Sequence, residues 1–388
     1  MKYYVIAGEA SGDLHGSNLL KEIFAKDPSA VVRCWGGDMM QSTGATLVKH
    51  YKELAFMGFA EVIKNLPAIL SNLSFCKKDI TDFRPDVLIL IDYPGFNLRI
   101  AGWAKKKEYK IAYYISPQVW AWKANRVKMM KVCIDLMMVI LPFEKEYYTD
   151  TWQWPVTYVG HPLVHIIDAY KPNRLPVAAG KPIVAVLPGS RKQEINVKLP
   201  VMLQVAANFP SHQFVVAKAP SVEDDFYTPL MAPYNNVTAV QGRTYDLLAT
   251  ASAAIVTSGT ATLETALFGV PEVVCYKGSN ISYQIAKRLI KIKYISLVNL
   301  VMDKPVVTEL IQHDMTSKKI ASEMQRLLFE PEYINRIKAD YKNLHDLLAS
   351  DGNPSEKAAG MIIALAKQAY LLFSYNSPNQ YHQQGKKK

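Results

Sequence analysis

Short apolar runs alternate with helical patterns along most of this 388-residue chain, in two successive series. The first series is Tyr3 to Ala7, Val31 to Trp35, Val87 to Ile91, Ile111 to Ile115 and Leu136 to Ile140. The second is Ile183 to Leu187, Gln213 to Ala217, Ala253 to Thr257 and Glu272 to Tyr276. Runs of this length read as buried strands, and the helical stretches between them supply the crossovers that parallel strands need. Between the series, Asp168 to Pro176 and then Gly180-Lys181-Pro182 carry the Pro and Gly punctuation of a linker. The chain is long enough for a core in each half. The expected fold is therefore α/β, with two Rossmann-like doubly wound domains at 1–168 and 177–349, a cleft between them, and ligands at the carboxyl ends of the strands. Ser350-Asp351-Gly352 stops one helix and Asn353-Pro354 starts another. Residues 350–375 then read as a final helix that packs back on the first domain or on a partner subunit, and 376–388 as a mobile basic tail.

The strand ends carry the chemistry. The first strand breaks into Gly8-Glu9-Ala10-Ser11-Gly12-Asp13-Leu14-His15-Gly16 and then a helical pattern through Leu19, Leu20, Ile23 and Phe24. Its Gly-x3-Gly-x3-Gly spacing matches neither the dinucleotide fingerprint nor the P-loop. It leaves Glu9, Ser11, Asp13 and His15 as a polar rim, either a solvated loop or a reactive one. Val87 to Ile91 runs directly into Asp92. An acid there is either a base with a raised pKa or a cap for the next helix. In the second half, Gly189-Ser190-Arg191 leaves a strand with a guanidinium fork suited to phosphate. Ser258-Gly259-Thr260-Ala261 covers a helix start whose N–H groups are open to a diphosphate, and Glu264 lies one turn further on, within reach of ribose hydroxyls.

Composition narrows the classes. No apolar run reaches membrane-spanning length, and the chain enters a strand at once without a signal peptide, so a cytoplasmic protein is expected. Cys34, Cys76, Cys133 and Cys275 are far apart and read as reduced core residues. The net charge of +11 gathers in clusters, including Lys105-Lys106-Lys107 and Lys386-Lys387-Lys388. Such clusters are solvated helix faces or attract phosphates, anionic lipid or nucleic acid. His161 and His165 have i, i+4 spacing but no Glu after the first, so they read as a packing pair and no metal site is expected.

The motifs IAGEASGDLHG, SPQVWAW, LPFE, GHPL, LPGSR, SGTATLE, AKRLIK and ISLVN, in this order, resemble the lipid-A-disaccharide synthase family. The resemblance implies a GT-B glycosyltransferase of lipid A and lipopolysaccharide biosynthesis, inverting, with neither metal nor cofactor. It implies that UDP-2,3-diacylglucosamine donates its sugar to 2,3-diacylglucosamine 1-phosphate, giving the β(1→6) disaccharide 1-phosphate and UDP. On this basis the first domain faces acceptor and membrane, and the second holds the UDP-sugar. Asp92 is the favoured base, with Glu9 and His15 as the competing group, and Ser11 and Asp13 position the acceptor. Gly189, Ser190, Arg191, Ser258, Gly259, Thr260 and Ala261 hold the diphosphate, Glu264 the ribose, and Asn299 lies near the donor. Two departures from the family pattern are Val298, where proline is usual, and His165, where aspartate is common. Rival readings are a UDP-GlcNAc epimerase, another lipid glycosyltransferase, or a non-catalytic protein that binds nucleotide or anionic lipid.

Acylated substrates imply a peripheral position on the cytoplasmic face of the inner membrane, with no nucleic-acid partner and a homodimer left open. Val62, Leu66, Ile69, Leu70 and Leu73 share a helical face ahead of Lys77 and Lys78, and this face is either core or lipid-contacting. Trp120 and Trp122 are further interfacial candidates, or simply packed.

Overall fold

The computed structural model describes residues 1–54, 66–121, 123–173, 175, 180–278, 283 and 293–375. Trp122, Val62, part of the linker, the AKRLIK stretch and the basic tail lie outside the described residues, as does the side chain of Leu66. The chain divides into two compact units, Met1–Pro162 with the segment from Ser350 onward, and Leu163–Ala349.

The first unit is built on a seven-stranded sheet: β1 Lys2–Ala7, β2 Val31–Gly36, β3 Thr46–His50, β4 Val87–Ile91, β5 Ile111–Tyr114, β6 Leu136–Val139 and β7 Thr157–Tyr158. The order is β3-β2-β1-β4-β5-β6-β7, all parallel. The second unit has six parallel strands: β8 Ile183–Leu187, β9 Gln213–Lys218, β10 Val237–Gln241, β11 Ala253–Thr257, β12 Glu272–Tyr276 and β13 Thr308–Ile311, in the order β10-β9-β8-β11-β12-β13. Every residue of β4, β8 and β11 is buried, which is why these central strands are unbroken apolar runs in the sequence. β3, β7, β10 and β13 lie at the sheet edges and are largely half-exposed, so they lack that run and escape the pattern.

In both sheets the strand order reverses beside the first strand, between β1 and β4 and again between β8 and β11. Connections leave such a pair in opposite directions, which opens a crevice at the carboxyl ends of the two strands.

The helix Leu66–Phe83 divides the face that the sequence left as either core or lipid-contacting. Leu73, Cys76 and Ile80 are buried in the core of the first unit and Ile69 packs against it, whereas Leu70 is 55% and Phe75 47% exposed. Of the described members of that face, Leu73 and Ile69 meet the core and Leu70 is open. Closing the unit, the last helix, Pro354–Tyr375, packs along Ala10–Lys26. Ala358, Ile362 and Ala366, spaced by four, are fully buried. At its start Asn353 Nδ2 donates to Glu22 Oε1 at 2.8 Å and Lys26 pairs with Glu356 at 2.9 Å. The four cysteines are buried and free.

Candidate active site

The crevice between β1 and β4 is formed by two interlocked turns. Ala7 and Ile91 are register partners, so the strands end level and release Gly8 and Asp92 side by side. The Tyr93 ring lies where a Gly8 side chain would be: a Cβ there would stand 2.3 Å from Tyr93 Cγ. This glycine thus makes room for an aromatic ring of its own chain. Asp92 and Tyr93 both adopt the left-handed conformation, with φ of 42° and 48°. For non-glycine residues this costs about 1–2 kcal/mol each. The turn is held by Asn97, fully buried, whose Nδ2 donates to the carbonyls of Ile6, Ile91 and Asp92 at 3.3, 3.1 and 2.8 Å. Tyr113, one strand over, donates its hydroxyl to the Asp92 carbonyl at 2.5 Å.

This clamp fixes a carboxyl of unusual acidity. Burial pushes Asp92 up to about 7, and the nearby negative charge of Glu9 adds to the shift. Glu9 itself is the half-buried N-cap residue of the helix Ala10–Lys26. A third acid, Glu144 of the LPFE motif, is buried at the end of β6 and pushed up to about 7 by burial, with Asp92 contributing. It accepts from Trp120 Nε1 at 3.1 Å and from the Leu141 N–H at 3.2 Å. The sequence offers that Glu144 only as part of a motif, because its burial depends on an indole from a different loop.

Two residues of the opening motif turn into the fold instead of the crevice. Asp13, 3% exposed, accepts the backbone N–H groups of Gly37, Met39 and Met40 at 2.8, 3.1 and 3.0 Å. Its carboxylate caps the short helix Asp38–Gln41, which leaves little capacity for a sugar hydroxyl. His15 is 4% exposed and burial lowers it to about 4, so it is neutral at physiological pH. Its ring meets the edge of His161, another buried imidazole, 6.4 Å away. His15 shares a helical face with Leu19 and Ile23, whereas Asp13 lies on the face of Gly16 and Leu20, and both faces are buried. Ser11, in contrast, remains half-exposed.

At the second crevice, β8 ends in Pro188, Gly189 and Ser190, and Arg191 is the N-cap of the helix Lys192–Leu203. Arg191 Nη1 lies 3.3 Å from Glu194 Oε1 and the side chain remains 38% exposed. Neighbouring β11 ends in Ser258 and Gly259, with Thr260 and Ala261 opening the helix Thr260–Leu267. Gly259 has φ of 153°, and among the described residues nothing beyond its chain neighbours lies within 4 Å of a Cβ built there, so they leave space at that helix start. Ser258 is tied down on the other side, donating its hydroxyl to the Ile295 carbonyl at 3.0 Å. Glu264 is half-buried, with its pKa raised by burial, and accepts the Tyr245 hydroxyl at 2.9 Å.

Asn299 is bonded within its own unit. It is 1% exposed, and its amide donates to the Val307 carbonyl and Glu309 Oε1, both at 2.9 Å, while its oxygen accepts the Val307 N–H at 3.0 Å. The side chain ties the helix Leu297–Met302 to β13, and both amide hydrogens are used within the unit. Val298 sits buried in the first turn of that helix, a position that also accommodates proline. His165 is exposed on the helix Pro162–Asp168. Among the described residues, no group of three His, Cys, Asp or Glu side chains could hold a metal ion.

The comparisons agree with this architecture. A solved glycotransferase of kitacinnamycin superposes with a TM-score of 0.66 at 14% identity, covering 94% of this chain and 99% of its own. The UDP-GlcNAc 2-epimerase of Neisseria meningitidis, bound to UDP-GlcNAc, gives 0.62 at 12% identity, covering 95% and 100%. At these identities the likeness shows the fold, which is GT-B. Sequence relationships are much closer: the lipid-A-disaccharide synthase of Geobacter sulfurreducens is 38% identical over 371 residues, 93% of this chain and 96% of the relative. With the lipid-A-disaccharide synthetase family model matching residues 3–362, the chain belongs to that family and is a glycosyltransferase.

Proposed function

We propose that the protein joins UDP-2,3-diacylglucosamine to 2,3-diacylglucosamine 1-phosphate, with Asp92 as the base that activates the acceptor. The observation that carries this reading is the clamped turn at Asp92: two left-handed residues held by Asn97 and Tyr113, bearing a carboxyl at about 7. Strain of this kind persists only where surrounding structure over-determines it, and a base with a pKa near ambient pH transfers protons most effectively. The acceptor 6-hydroxyl oxygen attacks the anomeric carbon on the face opposite UDP. The carbon–oxygen bond to the diphosphate breaks, the hydroxyl proton passes to Asp92, and UDP leaves with the bonding pair. Glu9 raises the basicity of Asp92, and Ser11 is the rim residue available to orient the acceptor. Arg191 and the open start at Ser258 to Ala261 bind the departing diphosphate, with Glu264 on ribose.

Both substrates carry acyl chains, so the enzyme works at a membrane surface. Among the described residues no helix is long and apolar enough to cross one. Leu70 and Phe75 are the exposed apolar residues on Leu66–Phe83. Further along that helix, Lys77 and Lys78 line a cavity of about 380 Å³ together with Trp103, Lys107 and Tyr109. Apolar contact and cationic charge together are what peripheral binding to anionic lipid requires.

The test is UDP release. It should require acylated donor and acceptor together, and kcat should fall with decreasing pH through about 7 as Asp92 is protonated. UDP release without acceptor, or an acid limb at the ordinary aspartate value near 4, would overturn this assignment.

A further inference from the structure

Lys198 is a cation without enough anions. It lies on the helix Lys192–Leu203, one turn beyond Glu194 and two beyond Arg191, so the three share one face. Helical side chains lean toward the N-terminus, which carries this ammonium back toward the β8 turn. There its side chain is 4% exposed, its nearest carboxylate is Glu194 Oε2 at 4.0 Å, and the Tyr276 ring centroid is 5.9 Å away. No hydrogen bond reaches the ammonium among the described residues. By contrast, Lys218 and Lys304, on the same unit's surface, sit 2.6 Å from their carboxylates. The least exposed of these lysines is therefore the worst paired, the reverse of what burial of a charge demands.

The surroundings show where the missing anion belongs. Glu194 Oε2 lies 2.7 Å from where a Gly189 Cβ would be, so the carboxylate nearest the ammonium lies directly against the β8 turn. On the other side, Tyr276 follows Cys275, whose carbonyl accepts the Ser258 N–H at 3.0 Å. Lys198 therefore lies beside the β8 turn and near the end of β12, the strand that pairs with β11. The single Glu194 carboxylate faces Arg191, Lys198 and the positive end of a helix.

We infer that Lys198 binds the nucleotide diphosphate alongside Arg191, with Glu194 holding both cations in place until the phosphates arrive. This rests on the second crevice being the nucleotide site. Burial lowers the ammonium's pKa, and an incoming diphosphate would restore its preference for the charged form.

Calorimetry with two probes, UDP and phosphate-free uridine, tests the inference on Lys198→Met, Lys198→Arg and Arg191→Ala. Lys198→Met should weaken UDP about tenfold to a hundredfold and leave uridine unchanged. Its unliganded Tm should hold or rise, because an apolar chain replaces a poorly paired buried charge. Lys198→Arg should retain most of the UDP affinity. Should the methionine variant not fold, Lys198→Gln takes its place against Lys198→Arg. UDP affinity unchanged in the neutral variant while Arg191→Ala loses it would overturn the role of Lys198 alone. No loss in Arg191→Ala, or no UDP binding by the unmodified protein, would overturn the nucleotide site and this inference with it.

Discussion

At the carboxyl ends of β1 and β4 the chain gathers Glu9 and Asp92, with Glu144 nearby, whereas at the ends of β8 and β11 it gathers Arg191, Lys198 and an open helix start. The strand order around the two crevices is the same, and so is the geometric reason for each opening. The turns differ. Asp92 and Tyr93 pay a backbone strain that Asn97 and Tyr113 hold in place, so the first crevice presents a rigid acid. Gly259 adopts its positive φ without that penalty, and the second crevice presents the start of the helix Thr260–Leu267. On the proposed reading, one topology serves proton transfer in one unit and anion binding in the other, and the side chains at the strand ends decide which.

The strongest way to break this division is Asp92→Asn. Asparagine keeps shape and capping ability but cannot take a proton, so turnover should fall by about 10²-fold or more with UDP affinity unchanged. Near-normal turnover would remove Asp92 as the base and return attention to Glu9. Arg191→Ala is the reciprocal case: UDP affinity should weaken by about tenfold to a hundredfold through loss of a charge-assisted contact. Calorimetry showing unweakened UDP binding would detach the second crevice from the nucleotide.

A different readout, stability, separates fold from surface in the first unit. Leu73→Asp should destabilise by about 3–5 kcal/mol, because it buries a charge in the core, and should lower Tm sharply. Leu70→Asp should leave Tm nearly unchanged and reduce sedimentation with anionic vesicles. Equal vesicle binding by the Leu70 variant would move the membrane contact elsewhere.

The smallest effect concerns Glu272, which sharpens what makes Asp92 special. Glu272 is fully buried in β12, neither carboxyl oxygen has a hydrogen-bond partner among the described residues, and burial raises its pKa well above the ordinary value. Desolvation alone therefore does not mark a base; Asp92, the proposed base, combines it with position at a switch point. A carboxyl held protonated in the fold but ionised in the unfolded chain stabilises fully below the unfolded pKa, and that contribution is lost as pH rises above it. Glu272→Gln should accordingly match the parent protein near pH 4 and exceed its stability by about 1 kcal/mol or more at pH 8. Thermal melts at both pH values check the sign; a variant less stable at pH 8 would contradict it.

What the sequence determined by itself was the repeating strand and helix alternation, the two series, and the position of Asp92, Arg191 and Ser258 just beyond strands. All of these follow from local periodicity, which reports which residues are buried and where a strand must stop. Tertiary structure decided what those residues face. Asp13 is taken up by N–H groups of residues 37 to 40, Asn299 by Val307 and Glu309, and His15 by His161, partners that no local pattern specifies. Leu73 and Leu70 carry the same apolar signal, yet only one meets the sheet. Lys198 and Glu144 gave no functional signal, because a charge becomes informative only when its surroundings are known, and those include residues remote in the chain, Tyr276 for Lys198 and Trp120 for Glu144. Periodicity measures the hydrophobicity of a face; hydrogen-bond partners and dielectric surroundings arise only when distant segments meet.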